Sequence, residues 1–422
     1  MHITVLAHGT RGDVYPLTAL AAELARRGHD VRVGASANLV DVGRRLGLDT
    51  VPIAWDTQQA LESSRGRVWA DAADAESFVR LLHEIGAEHD ERLNREIIEV
   101  CEGSDAIVSG VLLEWRAVAV AEAGKLPLVV QDCYPRRMND VIPHPLMTID
   151  AQLDVEAIRA TYRSFARLSW ARLREAVTRF RRGLGLPLLP SSVTRPLELQ
   201  TYSPSLVPGL AWDSFRPFVG DLRMSRSDLG RLGMDGIDAE LARWLDEGEP
   251  PALFTFGSTY VADPVERLAV IGRVCRSLDL RGLVVTGWGL SHQAVAESQN
   301  PDLRTVPYAD YDVVLPRCAL AVHHGGATIT AAGVRAGIPT MICSASFDQP
   351  FWGAQLDRLG VGVHVRHAEL TEESLRSGIS RLMTEPVRRN AALLGGRLRA
   401  EPDGTPAAAD EIEKYLVEVH GA

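Results

Sequence analysis

The sequence ITVLAHGTRGDVYPLTALAAELARRGHDVRVGA, residues Ile3–Ala35, contains the pattern that decides the fold. Its first six residues, Ile3–His8, form an apolar run that is typical of a buried strand. Pro16–Arg27 places leucines and alanines at helical spacing, Gly28 ends that helix, and Asp30–Ala35 is a second apolar run. A strand, a helix and a strand in this order predict a parallel βαβ unit.

The alternation of strand and helix continues along the chain and restarts after one break. Residues 204–229 are rich in Pro, Gly and Ser without a sustained period, which is typical of an interdomain linker. The pattern on both sides predicts an α/β fold of two doubly wound, Rossmann-like domains that face a cleft. The other predicted strands are Asp49–Ile53, Asp105–Ser109, Leu126–Gln131, Leu197–Tyr202, Ala252–Phe256, Gly282–Thr286, Ala319–His323 and Pro339–Ser344.

Two long, charged segments with helical patterns interrupt the first domain, at Asp71–Val100 and Asp154–Arg182. Insertions after the carboxyl ends of strands often shape the ligand site of an α/β protein. Ordinary covering helices would have the same pattern, so both interpretations stay open at this point.

Composition and charge limit the classes of function. The 422 residues suit two domains of roughly 200 residues each. Apolar residues make up 46% and charged residues 24%, which excludes wholesale disorder. The net charge of −10, from 55 acidic and 45 basic side chains, argues against general binding to nucleic acid or to an anionic membrane surface.

Cysteine usage and hydropathy predict the compartment. Five cysteines without a CxxC pair argue against a disulfide framework and a zinc finger, and are typical of a reducing environment. No apolar run reaches the length of about 18 residues that a membrane-spanning helix needs. We therefore expect a cytoplasmic protein without a membrane span.

The segment His8–Pro16 (HGTRGDVYP) joins the first strand to the first helix, where open α/β sheets bind ligands. Its two glycines allow a tight turn and close approach of the backbone to a bound group. Asp13 precedes the predicted helix, so it is either an N-cap or a general base that faces the cleft. A helix N-terminus lowers the pKa of a carboxylate and weakens it as a base, which leaves His8 as a competing candidate.

The segment His323–Thr330 (HHGGATIT) lies between a strand and a helix of the second half. Paired glycines at a helix N-terminus present backbone N–H groups and the positive end of the helix dipole, which suits a diphosphate. A histidine beside them adds a hydrogen bond or a charge. A tight turn without a ligand would use the same residues, so this pattern alone does not decide.

Further polar residues follow other predicted strands of the second half. Asp348 and Gln349 offer acceptors and an amide that suit the hydroxyls of a sugar. Phe256–Thr259 and Gly287–Gly289 place small residues, hydroxyls and a tryptophan where they suit a phosphate and a nucleobase. Helix capping and core packing are the alternative interpretations.

Several patterns that resemble known sites fail on inspection. Asp310–Asp312 matches the DxD metal pattern without a nearby cluster of ligands. His83 and His89 are six residues apart, so they face different sides of a helix and cannot share a zinc ion. No GxGxxG follows a first-domain strand, and neither a P-loop nor a GxSxG motif occurs. We therefore predict no metal site.

Three segments together resemble the inverting GT-B glycosyltransferases: Gly9–Pro16, His323–Pro339 and Asp348–Gly353. The most similar branch contains sterol glucosyltransferases and bacterial enzymes that glycosylate antibiotics such as glycopeptides and polyketides. The region Ala319–Gly362 carries the most specific part of the resemblance, whereas Ala54–Arg195 contains no matching motif.

The resemblance implies a role for each matching residue. Asp13 is then the general base, and His8 is assigned to the acceptor side. The residues implied to bind the donor are Thr10, Ser258, Thr259, His324, Gly326, Ala327 and Thr328 near the diphosphate, Trp288 near the nucleotide, and Asp348 and Gln349 at the sugar.

Two positions depart from the family pattern. Ile329 replaces a hydroxyl that often contacts phosphate, and Thr328 or Thr330 are candidates to compensate for it. Ala332 occupies the position of a ribose-binding glutamate in the plant members. Since the bacterial branch generally lacks that glutamate, UDP and dTDP donors both remain open.

We predict inverting transfer of a sugar from a UDP- or dTDP-linked donor to a hydroxyl of a small-molecule natural product, without a metal or another cofactor. The alternatives are a non-hydrolysing sugar-nucleotide epimerase of similar architecture and a catalytically silent donor-binding partner. The predicted domains are 1–204 for the acceptor, 205–229 as linker, 230–385 for the nucleotide sugar, and 386–422 as helices that pack back toward the N-terminal domain. Candidates for an apolar acceptor pocket are Trp55, Trp69, Trp115, Trp170 and the turn Pro143–Pro145.

Overall fold

The computed structural model describes residues 1–63, 76–77, 79–80, 84, 87–149, 152–188, 195–290, 295–296, 300 and 302–420. These residues form two parallel sheets of six strands each, with helices on their faces. Trp69, His83 and the start of the predicted helical segment Asp71–Val100 lie outside the described residues.

The strands are numbered in the order in which they occur along the chain, with six in each half. The first sheet contains β1 (His2–Ala7), β2 (Asp30–Ser36), β3 (Asp49–Ile53), β4 (Ala106–Gly110), β5 (Leu128–Asp132) and β6 (Leu197–Gln200). The second contains β7 (Ala252–Thr255), β8 (Gly282–Val285), β9 (Leu303–Val306), β10 (Leu320–His323), β11 (Thr340–Ser344) and β12 (Gly362–Arg366).

Helices connect and cover these strands. In the first half they are α1 (Arg11–Arg26), α2 (Val40–Arg45), α3 (Thr57–Glu62), α4 (Asp90–Val100), α5 (Glu114–Gly124) and α6 (Val155–Gly183). Those that follow are α7 (Arg226–Leu232), α8 (Ala239–Asp246), α9 (Pro264–Ser277), α10 (Tyr311–Val314), α11 (Ala327–Ala336), α12 (Gln349–Arg358), α13 (Glu372–Leu382), α14 (Glu385–Ala400) and α15 (Gly404–His420).

In each sheet, successive strands are added first on one side and then on the other, and the change occurs between two central strands. The spatial order is β3-β2-β1-β4-β5-β6 in the first sheet and β12-β11-β10-β7-β8-β9 in the second. The reversal therefore lies between β1 and β4 in one domain and between β7 and β10 in the other. Ligands of doubly wound sheets bind outside the carboxyl ends of the strands at such a point. The predicted fold, two Rossmann-like domains, is confirmed.

Burial on both faces explains why the central strands are continuously apolar. Ile3 and Val5 of β1 pack into one apolar cluster, while Leu6 packs into a cluster on the opposite face with Ile107 and Val130. Parallel sheets are covered on both sides, so their strands lack an alternation of apolar and polar residues.

Two strands of the second sheet were missing from the prediction, β9 and β12. Both are edge strands, and three of the four residues of β9 are partly exposed. Because one side of an edge strand meets solvent, polar residues such as Arg304 and His364 interrupt the apolar run that marks the inner strands.

Helix α1 begins earlier than predicted, at Arg11 instead of Pro16. Thr10 is the N-cap residue and Asp13 is the third residue of the helix. Asp13 is therefore not the N-cap residue, although its carboxylate does accept a hydrogen bond from an N–H at the helix start, that of Thr10. Pro16 had suggested a later start, but it lies inside α1 as its sixth residue, where it cannot donate the usual N–H hydrogen bond to the carbonyl of Gly12.

The second charged segment forms a covering helix. Asp154 caps α6, since its side chain accepts a hydrogen bond from the N–H of Ala157 at 2.8 Å. Near its other end, Phe180 packs edge-on against Trp115 of α5 with ring centres 5.7 Å apart. No residue of α6 lines the cavity between the domains. Within the described residues, no helix is both long and apolar enough to cross a membrane.

The last two helices have different main neighbours. Helix α14 contacts α11 of the second domain, whereas α15 contacts α1 of the first. Ala408, Ile412 and Leu416 of α15 enter the apolar cluster below the first sheet, and Arg27 forms ion pairs with Asp410 and Glu413. Both helices of the range 386–422 therefore reach residues of the N-terminal domain, since α14 also shares an apolar cluster with Tyr134 and Tyr202.

Candidate active site

A cavity of about 450 Å³ lies between the two sheets, at the carboxyl ends of their strands. Its lining comes from both domains, with residues 8–16 on one side and the segments after β7, β8, β10 and β11 on the other. The two reversal points of the strand order therefore meet at one site. The residues that line it and that the sequence had singled out are His8, Thr10, Asp13, Ser258, Thr259, Trp288, His324, Gly326, Ala327, Thr328, Asp348 and Gln349.

Asp13 lies in the first turn of α1 and lines the cavity. Its Oδ2 accepts hydrogen bonds from the N–H of Thr10 at 2.7 Å and from the Thr10 hydroxyl at 3.1 Å. Burial raises the pKa of Asp13 to about 6, and these hydrogen bonds oppose the rise. The expectation that the helix N-terminus lowers this pKa was wrong, because desolvation in the cleft outweighs the helix end. A carboxyl group with a pKa near 6 is well suited to take a proton at neutral pH.

Gly9 lets Asp13 approach the backbone closely. Its φ of +134° is a conformation that side chains other than glycine rarely adopt, and a Cβ here would lie 2.3 Å from Oδ2 of Asp13. The glycine is therefore needed for the position of the carboxylate as well as for the turn.

His8 is buried and lines the same cavity as Asp13. Its Nδ1 lies 2.9 Å from Oγ of Ser36, and its ring packs edge-on against Trp55 with centres 4.8 Å apart. Burial, followed by the charge of Arg116, lowers the pKa of His8 to about 3. The imidazole is neutral at pH 7 and a far weaker base than Asp13. Its acceptor-side position stays a prediction.

His324 lies between Gly257, which follows β7, and Gly326, which is at the start of α11. A Cβ on Gly257 would lie 2.5 Å from its Cε1, and a Cβ on Gly326 would lie 2.7 Å from its Nε2. Burial lowers the pKa of His324 to about 4, so the ring is neutral at pH 7 and has hydrogen bonds rather than a charge to offer a ligand. Glycine at both positions therefore leaves room for the ring of His324.

The N-terminus of α11 points into the cavity. Gly326 is its N-cap residue, and Ala327 and Thr328 form its first turn. The first N–H groups of a helix and the positive end of its dipole suit this turn to binding an anion. The side chain of Ile329 is 5% exposed and packs with Leu253 in an apolar cluster of the second domain.

Asp348 and Gln349 follow β11 on the same side of the cavity. The indole N–H of Trp352 donates to Oδ2 of Asp348 at 2.8 Å, and Oε1 of Gln349 accepts from the N–H of Ala345 at 2.8 Å. Burial raises the pKa of Asp348 to about 7, and the charge of Asp13 contributes to the rise. The two carboxyl groups therefore lie near each other although they belong to different domains.

Ser258, Thr259 and Trp288 follow β7 and β8. All three line the cavity. Trp288 also packs against the apolar cluster of the first domain and lies beneath Arg11, whose Cζ is 5.7 Å from the indole centre. The tryptophan thus bridges the two domains, a position that no local pattern had indicated.

The DxD-like segment is used for structure. One carboxylate oxygen of Asp310 caps α10 through the N–H of Asp312, and the other pairs with Arg226 and accepts from Gly236. Among the described residues, no group of three His, Cys, Asp or Glu side chains is arranged to hold a metal ion.

Of the candidate residues for the acceptor pocket that the structure describes, only some line the cavity. Trp55 lines the cavity together with Leu61 and Leu112. Trp115 packs in the core against Phe180, and Trp170 is exposed on α6. The turn Pro143–Pro145 is absent from the lining within the described part of the chain.

Sequence reasoning missed several residues of the lining. Arg11, Cys133, Tyr308 and Tyr311 belong to it, as do Thr57 and Ala60. Cys133 follows β5, so its place at the carboxyl end of a strand was the available signal. For Tyr308 no comparable signal existed, because its strand, β9, was itself not recognised.

The pKa of Asp13 predicts how activity depends on pH. If Asp13 must be ionised to act, we expect kcat/KM to fall about tenfold per pH unit below pH 6, because the protonated carboxyl cannot accept a proton. Initial rates between pH 4.5 and 8.5 measure this, with circular dichroism at each pH to verify folding. A flat profile down to pH 5 in folded protein would contradict the assignment.

Two domain families match the two halves of the chain. Residues 3–143 match the glycosyltransferase family 28 N-terminal domain. Residues 281–419 match the erythromycin biosynthesis protein CIII-like C-terminal domain.

Relatives match over nearly the whole chain. An uncharacterised glycosyltransferase of Mycobacterium tuberculosis is 32% identical over 424 residues, which cover 98% of each chain. A sterol 3-beta-glucosyltransferase of Arabidopsis thaliana is 28% identical over 430 residues, which cover 99% of this chain and 68% of the relative.

Solved structures share the fold. The calicheamicin glycosyltransferase CalG4 has a TM-score of 0.69 at 18% identity and covers 99% of this chain and 98% of its own. The glycosyltransferase VinC, solved in complex with dTDP, has a TM-score of 0.67 at 18% identity and covers 99% of this chain and 100% of its own.

Proposed function

The chain belongs to the GT-B glycosyltransferases, in the branch that contains sterol glucosyltransferases and antibiotic glycosyltransferases, and on that premise we propose which reaction it performs. It transfers a hexose from a UDP- or dTDP-linked donor to a hydroxyl of a small-molecule natural product, with inversion at the anomeric carbon. The observation that carries this proposal is that Asp13 and the N-terminus of α11 face one cavity from opposite domains.

The donor side of the proposal rests on the second domain. The first turn of α11 and the neutral His324 offer hydrogen-bond donors to a diphosphate. Asp348 and Gln349, which follow the adjacent strand, suit the hydroxyls of the sugar. Ser258 and Thr259 add hydroxyls on the other side of His324. VinC is a neighbour solved with dTDP, which supports a nucleoside diphosphate without deciding its base.

The chemical step follows from the two walls of the cavity. Asp13 takes the proton of the acceptor hydroxyl as its oxygen attacks the anomeric carbon, and the carbon–oxygen bond to the diphosphate breaks with its electron pair going to the phosphate. One displacement with base and leaving group on opposite sides inverts the configuration. The charge on the departing diphosphate is met by N–H groups and the helix dipole, so the scheme requires no metal ion.

The acceptor side is predominantly apolar. Trp55, Leu61 and Leu112 line it, and His8 beside them is held neutral. An uncharged, largely apolar aglycone with a free hydroxyl fits this lining, because burying a charged group there would be costly. One structural neighbour, the spinosyn rhamnosyltransferase SpnG, was solved with the spinosyn aglycone. A cytoplasmic setting stays a prediction.

A transfer screen tests the proposal. Purified protein without added metal is incubated with UDP-glucose and dTDP-glucose against polyketide, glycopeptide, flavonoid and sterol acceptors, and products are detected by mass spectrometry. We expect a product heavier by one hexose, and nuclear magnetic resonance of its anomeric proton then tests inversion. Conversion of the donor alone to an isomer would favour the epimerase instead.

The silent-partner alternative makes a different prediction for the same screen. It requires nucleotide binding in calorimetry without consumption of any donor. Ile329, which replaces a hydroxyl of the family pattern, is the residue that favours this alternative: its side chain packs in an apolar cluster of the second domain and also lines the cavity, next to the hydroxyl-bearing Thr328. Donor binding without hydrolysis or transfer across the panel would contradict the transferase proposal.

A further inference from the structure

Arg11 lies at the mouth of the cavity, on the first-domain side. It is the first residue of α1, two positions before Asp13, and its side chain is exposed. Its guanidinium is placed over the indole of Trp288, which belongs to the second domain. Its charge also acts on Tyr308 and Tyr311, which line the same cavity. A first-domain cation thus reaches the wall that surrounds the nucleotide in the proposed function.

The balance of charges in the cavity singles out this residue. Three arginines and no lysine line the cavity among the described residues, namely Arg11, Arg223 and Arg335. Arg335 pairs with Asp221 at 2.5 Å, and Arg223 lies 3.6 Å from a carboxylate oxygen of Asp312. In the described part of the chain, no carboxylate lies within 4 Å of the Arg11 guanidinium. Its charge is therefore available to a ligand.

The proposed reaction needs such a charge. When the bond to the anomeric carbon breaks, the diphosphate gains the electron pair and its negative charge grows. His324 is neutral, and the end of a helix supplies only about half an elementary charge. A guanidinium carries a full charge and matches the geometry of phosphate oxygens.

The contact with Trp288 holds the guanidinium near this position without a strong competing bond. An exposed cation–π contact is weaker than a charge-assisted hydrogen bond to phosphate. A bound diphosphate would therefore draw the side chain away from the indole face. Because Arg11 and Asp13 share the first turn of α1, movement of the first domain toward the donor brings both groups to the reaction together.

We propose that Arg11 is a further catalytic residue, which binds the donor diphosphate from the opposite domain and stabilises it as it leaves. This inference rests on the proposed function and deepens it. It adds a positively charged group of the first domain to the donor site, beside Thr10.

Binding measurements separate this role from a structural one. In Arg11→Ala we expect the affinity for UDP or dTDP to fall about 10- to 100-fold in calorimetry, the usual effect of losing a hydrogen bond between charged groups. The affinity for uridine or thymidine, which carry no phosphate, should stay unchanged. Arg45→Ala is the matched control, because it removes the same charge from an exposed position of α2 outside the cavity lining. Equal losses with nucleoside and diphosphate, or no loss with either, would overturn the proposal.

Kinetics supply the second test. We expect Arg11→Ala to lower kcat about 10- to 100-fold and Arg11→Lys to lower it less. Added guanidinium ion should restore part of the activity of Arg11→Ala and should not raise the activity of the wild type. Failure of the ion to restore any activity, with Arg11→Lys as impaired as Arg11→Ala, would contradict the charge role. If the wild type transfers no sugar in any assay, the proposed function fails, and the binding test on Arg11 still stands by itself.

Discussion

Asp13→Asn is expected to lower kcat about 10²- to 10⁴-fold, which is the usual contribution of a general base. The amide cannot take a proton from the acceptor hydroxyl, but its oxygen can still accept the hydrogen bond from the N–H of Thr10. Donor binding should therefore stay close to that of the wild type. Steady-state rates and calorimetry with UDP and dTDP measure the two quantities.

Protein stability gives an independent check on the same variant. Because burial raises the pKa of Asp13, the folded state binds this proton more tightly than the unfolded chain does. The stability that the proton contributes is fully present below about pH 4 and is lost as the pH rises through about 6. At pH 7.5, Asp13→Asn should thus unfold at no lower temperature than the wild type.

A matched control and a contradicting result complete this prediction. Asp41→Asn changes the same chemical group at an exposed position of α2 and should keep full activity. Near wild-type turnover in both Asp13→Asn and Asp13→Ala would show that another group takes the proton. His8 would then be the next candidate, although its pKa of about 3 makes it a weak one.

His324→Ala is expected to weaken binding of UDP or dTDP about 10- to 100-fold and to lower kcat/KM by a similar factor. The neutral ring is fixed between Gly257 and Gly326, so it offers a hydrogen bond to phosphate with little loss of side-chain freedom. The truncation removes this bond and leaves space that water fills. Titration calorimetry of the variant with each nucleotide measures the loss.

The control for this variant is another histidine of the same domain. His367 packs edge-on against Phe256 outside the cavity lining, so His367→Ala removes a neighbouring imidazole that is not among the proposed donor contacts. Its nucleotide affinity should stay near that of the wild type. Unchanged affinity in His324→Ala would refute the phosphate role.

Sequence patterns predicted the inner strands well and the edges poorly. The six residues of β1 are apolar because both faces of the strand are covered, and that requirement is visible in the sequence itself. Strand β12 at the edge of the second sheet contains His364 and Arg366, so no apolar run marks it. Hydropathy detects burial, and an edge strand is only partly buried.

The motifs of the candidate site were recognisable because glycine turns and helix starts are local features. Residues 8–16 and 323–330 could be assigned to strand-to-helix turns, and both turns line the cavity. Cys133 and Tyr308 could not be found in this way, since they join the site only when their strands lie next to β4 and β8. Their place depends on the order of strands in the sheet.

The sequence by itself determined the alternation of strands and helices, the two domains, and the turns that carry Asp13, His324 and Asp348. These follow from hydropathy period and backbone freedom, which act over a few neighbouring residues. Only the tertiary structure decided that Asp13 has a raised pKa and that Arg11 has a charge without a carboxylate partner among the described residues. Desolvation and ion pairing depend on which groups of the other domain lie nearby in space. Those groups are far away along the chain, so local sequence patterns do not reveal them.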